Sequence, residues 1–300
     1  MNFEYYKIFY YVAKHKNITR AAAELYSSQP AVTRAIQNME NDLGCRLFTR
    51  SKTGVEFTHE GEMLFEYVSN AFQQIVKAEE EVSRSVSVES GTIYIGTTVT
   101  ALHGFLFDFL DSFHLQYPGV KFKMTTDSSD NTIEKLKNGI VDLAFVTTPF
   151  DISKPLIAKK IKPFNDILIA GKYFNELEGK RFALDELAEY PFICLAKGTQ
   201  LREFIDGIFA ENGLELKPDI EPDVADMLVP MASHNFGLAF APQDMTTEAL
   251  SKGEVFKIQL EKELPERHIC LITNPHRPQT GASRELLRML TERLQGKSSH

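Results

Sequence analysis

The sequence has no long apolar run. No stretch approaches the roughly eighteen uncharged apolar residues that a membrane-crossing helix needs, so no membrane partner is expected. The opening residues, MNFEYYKIFYYVAKHKN, do not set a basic head before an apolar block, as a secretory signal does. Cysteine is scarce: Cys45, Cys194 and Cys270 stand far apart, without metal-ligand or redox spacing. A reducing cytoplasm fits these absences, and neither a metal nor another cofactor is expected. Catalytic signatures are missing too. There is no G-x-S-x-G elbow, no G-x-G-x-x-G fingerprint and no metal-ligand cluster, and no spacing unites the Ser, His and Asp residues. The chain is therefore not expected to be an enzyme.

Positive charge is also in deficit. A net charge of -8 over 300 residues argues against nucleic acid until the chain is divided. Residues 1–58 hold eight Lys and Arg against five acids, a net +3, whereas the remainder holds 25 against 36, a net -11. A small basic head on a large acidic body suggests that only the head meets phosphate.

What is present in that head is helical. Phe9, Val12 and Ala13 give residues 3–14 an amphipathic spacing. Asn17 or Thr19 can cap a second helix with an apolar face of Ala22, Ala23 and Leu25, and Tyr26-Ser27-Ser28 makes a turn. Gln29-Pro30 then opens a third helix, with Pro where its missing N–H costs nothing. Val32, Ala35, Ile36 and Met39 form its buried stripe, Gln29, Thr33, Arg34 and Gln37 its outer face, and Gly44 its end. This pattern fits a helix-turn-helix, in which Gln and Arg can pair with adenine and guanine edges and Thr can meet a base methyl or a phosphate. It equally fits an ordinary helical hairpin with a polar face. Next, RLFTRSKTGVEFTHEG (46–61) places two extended segments around a Lys52-Thr53-Gly54 turn. Such a wing would lay Arg50, Ser51 and Lys52 along the phosphate backbone.

The combined stretch AAAELYSSQPAVTRAIQNMENDLGCRLFTRSKTGVEFTHEGE resembles the winged helix-turn-helix of LysR-type transcriptional regulators. It carries their small residues, S-Q-P/S-A-V-S/T, I-x-x-L/M-E-x-x-L-G-x-x-L-F-x-R and T-x-x-G, with Met39 where Leu is commoner. The resemblance implies that Gln29, Pro30, Thr33 and Arg34 lie at the groove and Arg50 and Ser51 on the wing.

Residues 59–88 lack proline, and lack glycine after Gly61, while Leu64, Val68, Ala71, Ile75, Ala78 and Val82 step by four and three, a heptad seam. A lone seam of that length has little of its own chain to bury against. Docking on the following domain is one solution; pairing with a second copy is another, and the LysR resemblance implies the latter. It also implies an assembly larger than a dimer, with RNA polymerase as a further candidate partner.

From Gly91 strands and helices alternate: strands at 92–96, 120–126 and 141–147, a helix ending near Pro118, another at 130–139, then a second round from 161 that includes 191–195, 199–213 and 237–242, and finally 268–274 and 282–294. This alternation predicts an α/β layer with a mainly parallel sheet. The resulting fold class is multidomain α/β: a winged helix-turn-helix (1–58), a linker helix (59–90) and an effector domain (91–300). The resemblance makes that last part a periplasmic-binding-protein-like clamshell, with lobe one at 91–161 plus 268–300 and lobe two at 162–267.

Ligands of open α/β sheets settle beyond the carboxyl ends of strands, against helix N-termini. Thr97, Thr98 and Thr100 follow one strand, Thr147 and Thr148 another, and Thr199, with Arg202 one turn on, opens a helix of lobe two. Ser128 is a further candidate. Hydroxyls, free N–H groups and a cation suit a carboxylate or other small anion, though Ser and Thr also cap helices routinely. Two functions compete. One is a regulator that binds double-stranded DNA under control of a small-molecule effector. The other, a solute-binding transport protein, is opposed by the basic head and the missing signal.

Overall fold

The structure, a computed structural model, describes residues 3–50, 54–84 and 91–296. The chain divides into two compact units, Met1–Ser83 and Arg84–His300.

In the first unit α1 (Phe3–His15) buries Phe9, Val12 and Ala13, the stripe its spacing predicts. The Asn17 side chain accepts the Arg20 N–H at 3.0 Å and opens α2 (Ile18–Glu24). α2 buries Ala21 and Ala22, while Ala23, expected on its apolar face, is exposed. The inward stripe runs instead from Ala21 to Leu25, one helical repeat apart. Helix α3 (Gln29–Leu43) starts at Ser28, whose hydroxyl accepts the Ala31 N–H at 3.4 Å, and stops at Gly44, left-handed at φ 72°. Its expected stripe of Val32, Ala35, Ile36 and Met39 is buried, and so is Glu40. Glu40 is the acid of the M-E-x-x-L-G motif. It accepts the N–H groups of Leu47 (2.8 Å) and Phe48 (3.3 Å) and pairs with Arg46 (2.8 Å), fastening the end of α3 to the wing. The wing is the antiparallel pair β1 (Phe48–Arg50) and β2 (Val55–Phe57), with Phe48 opposite Phe57. It docks on the α1–α2 corner, where the Val55 N–H donates to the Lys16 carbonyl at 2.9 Å.

Helix α4 (His59–Arg84) is 26 residues long, about 39 Å at 1.5 Å per residue. The T-x-x-G motif explains its start. The Thr58 hydroxyl donates to the Arg46 carbonyl (2.7 Å) and accepts the Gly61 N–H (3.0 Å), and a Cβ on Gly61 would sit 2.0 Å from the Leu47 carbonyl oxygen. Val68 is buried and Leu64 and Phe65 are partly buried in the head core, while Phe72 stacks on Tyr10 at 4.5 Å. The predicted seam is therefore divided, its first two positions being spent on the head. Met63, Tyr67, Ile75 and Val76 remain exposed. Residues 85–90, at the predicted end of this helix, lie outside the described residues.

The second unit holds two five-stranded sheets. The first is ordered β4 (Lys121–Thr126), β3 (Thr92–Thr97), β5 (Leu143–Thr147), β12 (Arg267–Thr273), β6 (Ile157–Phe164). The second is ordered β8 (Arg181–Phe182), β11 (Val255–Leu260), β7 (Asp166–Gly171), β10 (Leu238–Pro242), β9 (Phe192–Ile193). Both are mixed, not mainly parallel. β12 runs antiparallel to β5 and β6, and β7 antiparallel to β10 and β11. These are the strands at the two crossings between lobes, and no crossover helix precedes either of them. The crossings also move the lobe boundary: Phe164 pairs with Arg267 inside the first sheet, so 162–164 and Arg267 belong to lobe one. The helices α5 (Val99–Ala101) and α6 (Phe107–Gln116) are joined by a π-helical turn at Leu102–Leu106 and cover lobe one with α11 (Gly281–Gly296). There Phe105, Phe109 and Phe113 are core, while Phe107 is exposed. α7 (Ser129–Lys137) packs on the other face of that sheet. α8 (Gln200–Glu211), α9 (Leu228–Ser233) and α10 (Gln243–Ser251) belong to lobe two. α10 and β11 carried no sequence signal; α10 starts after Pro242 without a side-chain cap.

Candidate functional site

The outer face of α3 is assembled as its spacing predicts. Gln29, Pro30, Arg34 and Gln37 are exposed and Thr33 half-buried, all on the side opposite the buried stripe. Arg50 is the last residue of β1, and Ser51 and Lys52 lie outside the described residues.

In the second unit a cleft of about 440 Å³ opens between the lobes. Three helix starts converge on it. The Thr98 hydroxyl accepts the Ala101 N–H (3.1 Å), Ser128 that of Asn131 (3.3 Å) and Thr199 that of Arg202 (3.4 Å), and each of these capping residues lines the cleft. Thr100 and Thr147 line it too. Lys197 is an exposed cation at its edge. Asp127 supplies a negative lining group: burial would raise its carboxyl, but hydrogen bonds from Asn131 and the Ser128 N–H, with Lys135 at 3.1 Å, hold it below the ordinary range. The lobes also touch directly. Gln200 donates to Asp130 at 2.6 Å, and His103 lies 3.5 Å from Asp226.

Three candidates stand elsewhere. Thr97 ends β3 with its side chain inward, fully buried, its hydroxyl donating to the Thr98 carbonyl at 3.0 Å. Thr148 accepts the His268 N–H at 2.9 Å and helps tie β5 to β12. Arg202 sits on the buried face of α8, where it bonds Asp206 (2.9 Å), Glu221 (3.0 Å) and the Leu195 carbonyl (3.1 Å). That guanidinium holds lobe two together and does not reach the cleft.

Besides Lys197, a buried cation lines the cleft: Arg267, only 3% exposed. It is the first residue of β12, and it pairs at 2.9 Å with Asp166, the first residue of β7. The two crossings between lobes are therefore clasped by one buried ion pair. The guanidinium also donates to the Thr148 carbonyl (2.6 Å) and approaches the Thr147 hydroxyl (3.4 Å). It lies 5.1 Å from the ring centres of both Phe164 and Phe204, which belong to different lobes. Burial pushes the Asp166 carboxyl up, against the pull of Arg267, and its second oxygen has no hydrogen-bond partner. Sequence reading missed this pair, whose only local mark is a charge at the start of each of two apolar strands. Among the described residues no cluster of His, Cys, Asp and Glu could hold a metal, and no helix is long and apolar enough to cross a membrane.

A winged helix-turn-helix joined by a long helix to a two-lobed α/β clamshell defines a one-component, ligand-responsive DNA-binding protein. Residues 3–62 match the family model for the bacterial regulatory helix-turn-helix protein, lysR family, and residues 87–295 that for the LysR substrate binding domain. The chain belongs to the LysR family of transcriptional regulators. It is 26% identical to the HTH-type transcriptional regulator CzcR of Bacillus subtilis, over 95% of this chain and 96% of that one. It is likewise 26% identical to a probable RuBisCO transcriptional regulator of Guillardia theta (91% and 89%) and to the transcriptional activator IlvY of Haemophilus influenzae (90% and 94%). Among solved structures, CbnR shares the fold with a TM-score of 0.76 at 19% identity, covering 98% of this chain and 99% of CbnR. Full-length CbnR complexed with its target DNA gives a TM-score of 0.73 at 20% identity, covering 98% and 99%. The family's function is transcriptional regulation through DNA, with a domain for a small ligand.

Proposed function

We propose that this regulator works in the cytoplasm as a dimer joined through α4, and as a tetramer on DNA, without catalysing a reaction. Gln29, Pro30, Thr33, Arg34 and Gln37 read the major groove, and Arg50, Ser51 and Lys52 hold the phosphate backbone. Its effector is a small anion bound between the lobes by Thr98, Thr100, Ser128, Thr147 and Thr199. Arg267 supplies the charge. The observation that carries this reading is the convergence of three capped helix starts and a buried guanidinium on one cleft, because N–H dipoles and an arginine together favour negative charge. An anion at Arg267 competes with Asp166 for the guanidinium, and that pair joins both crossings, so binding can bias lobe closure. The effector must then bind one lobe arrangement more tightly than the other. RNA polymerase is the partner that such a change on DNA would reach.

The test is binding to the DNA just upstream of the chain's own gene, at two salt concentrations, for wild type and Arg34→Ala, followed by a screen of small carboxylates. Saturable, salt-sensitive binding that is lost in Arg34→Ala, and shifted by a carboxylate in wild type but not in Arg267→Gln, is the expected result. Equal weak binding of both proteins to any DNA would sink the assignment of the recognition face.

A further inference from the structure

The turn between α2 and α3 contains an expensive residue. Tyr26 has a left-handed backbone at φ 49° and is 99% exposed. A residue with a Cβ is disfavoured there, and glycine or asparagine would be the ordinary choice. The conformation itself closes α2, where the Tyr26 N–H donates to the Ala23 carbonyl (3.2 Å) and the Ser27 N–H to the Ala22 carbonyl (2.9 Å). Two other non-glycine residues share it, each with its own return. The Lys16 carbonyl (φ 48°) accepts the wing's Val55 N–H, and the Asn235 side chain (φ 65°) accepts the Tyr173 N–H at 2.9 Å. The Tyr26 side chain takes part in no hydrogen bond, ring stack or cation contact among the described residues. Folding thus leaves a large ring and a phenol hydroxyl in water, on a strained backbone, two residues before the Ser28 cap of α3. The helix end accounts for the backbone but not for a fully exposed tyrosine at a position where glycine or asparagine closes a helix at lower cost.

We propose that Tyr26 is an additional DNA-contacting residue, its hydroxyl donating to a phosphate oxygen at the rim of the groove that α3 enters. A helix-turn-helix presents the N-terminal residues of its second helix to base edges. The turn leading into that helix therefore passes the flanking sugar-phosphate strand. Cations of the head near α3, Arg34 among them, give electrostatic attraction. An uncharged phenol adds register, because a hydrogen bond to phosphate is directional but reads no base. The proposal rests on the assignment of α3 as the recognition helix.

The experiment is fluorescence anisotropy of the full-length protein on its own upstream DNA and on a scrambled duplex, over a salt series. The proteins are wild type, Tyr26→Phe, Tyr26→Gly and Arg34→Ala, each with a thermal melt. Tyr26→Phe should lose about threefold to tenfold in affinity, by roughly the same factor on both DNAs, as removal of one hydrogen bond predicts. The slope of log affinity against log salt should stay as in wild type, since no counterion-releasing charge is removed. Tyr26→Gly should bind as weakly or more so, yet melt at the same temperature as wild type or a few degrees higher, because its backbone strain is relieved. Unchanged affinity in Tyr26→Phe overturns the proposal, as does a Tyr26→Gly protein that melts lower, which would make the residue structural. Failure of the recognition-helix assignment looks different: Arg34→Ala would then bind like wild type, whatever Tyr26 does.

Discussion

At residue scale, the Asp166–Arg267 pair is the most consequential contact in the second unit. Both side chains are buried, and one Asp166 oxygen is unsatisfied. Removing one partner leaves the other charge in a low-dielectric interior, which costs about 3–5 kcal/mol, whereas removing both costs less. Asp166→Ala should therefore unfold at markedly lower urea than wild type, and Asp166→Ala with Arg267→Met should recover part of the loss. Equal or additive losses would show that the pair is not an energetic unit. In the head, the glycine of T-x-x-G makes an equally local prediction. A Cβ at Gly61 meets the Leu47 carbonyl at 2.0 Å, and that atom is backbone, unable to swing aside. Gly61→Ala should destabilise the head by roughly 1–3 kcal/mol through overpacking, seen as an early melting transition of the head. Arg202 illustrates the opposite lesson. Its type and position suggested an anion ligand, but its helical phase puts it on the α8 face shared with Leu201, Ile205 and Phe209. Periodicity along α8 contained that information, and residue type alone overrode it.

Elements differ in how openly the sequence announces them. α1 and α3 were readable because their apolar residues recur at helical spacing, and Ser28 and Gly44 mark the ends of α3. β11 and α10 were not: a strand that begins Val255-Phe256-Lys257 beside a helix without a side-chain cap leaves neither clear alternation nor a start signal. The α4 seam was legible as a pattern, but its division between head and solvent depends on a tertiary neighbour, the aromatic face of α1. A second element-scale contact yields a pH prediction. Tyr117, just past the end of α6, donates to Glu285 of α11 at 2.6 Å. Arg288 above all, with Tyr117, pulls the Glu285 carboxyl from its ordinary value down to about 2. A depressed carboxylate stabilises the fold above its unfolded value and loses that contribution as pH falls toward the folded one. Because its partner Arg288 is half exposed and solvent screens the pair, the contribution is roughly 1 kcal/mol or less. Glu285→Gln should melt slightly below wild type at pH 6, and the gap should close as the pH is lowered through 4 toward 3. A gap independent of pH would assign the effect to the hydrogen bond alone.

At the scale of the whole molecule, the cleft was legible in part. Hydroxyl residues that follow strand ends were found at Thr98, Thr100, Ser128, Thr147 and Thr199, since strand-then-helix order alone brings them together. Arg267 was not, because its partner is 101 residues away and only the double crossing of the chain unites them. A head of +3 on a body of -11 must still grip DNA. A single head offers few groove residues, and the acidic remainder opposes its approach to phosphate at low salt. Two heads on one dimer turn the second contact into an intramolecular event, which raises affinity by about 10²–10⁴ when the half-site spacing fits. The exposed α4 residues Met63, Tyr67, Ile75 and Val76 are the apolar surface on which such pairing would draw. Ile75→Lys with Tyr67→Lys should shift full-length protein toward monomer in sedimentation velocity while leaving the head's melting transition in place. The same variant should bind DNA with one half-site as wild type does, and bind DNA with two at least tenfold more weakly. If both DNAs lose affinity equally, the substitutions have damaged the head. If neither does, the heads act singly and dimerisation through α4 is not what gives the protein its hold on DNA.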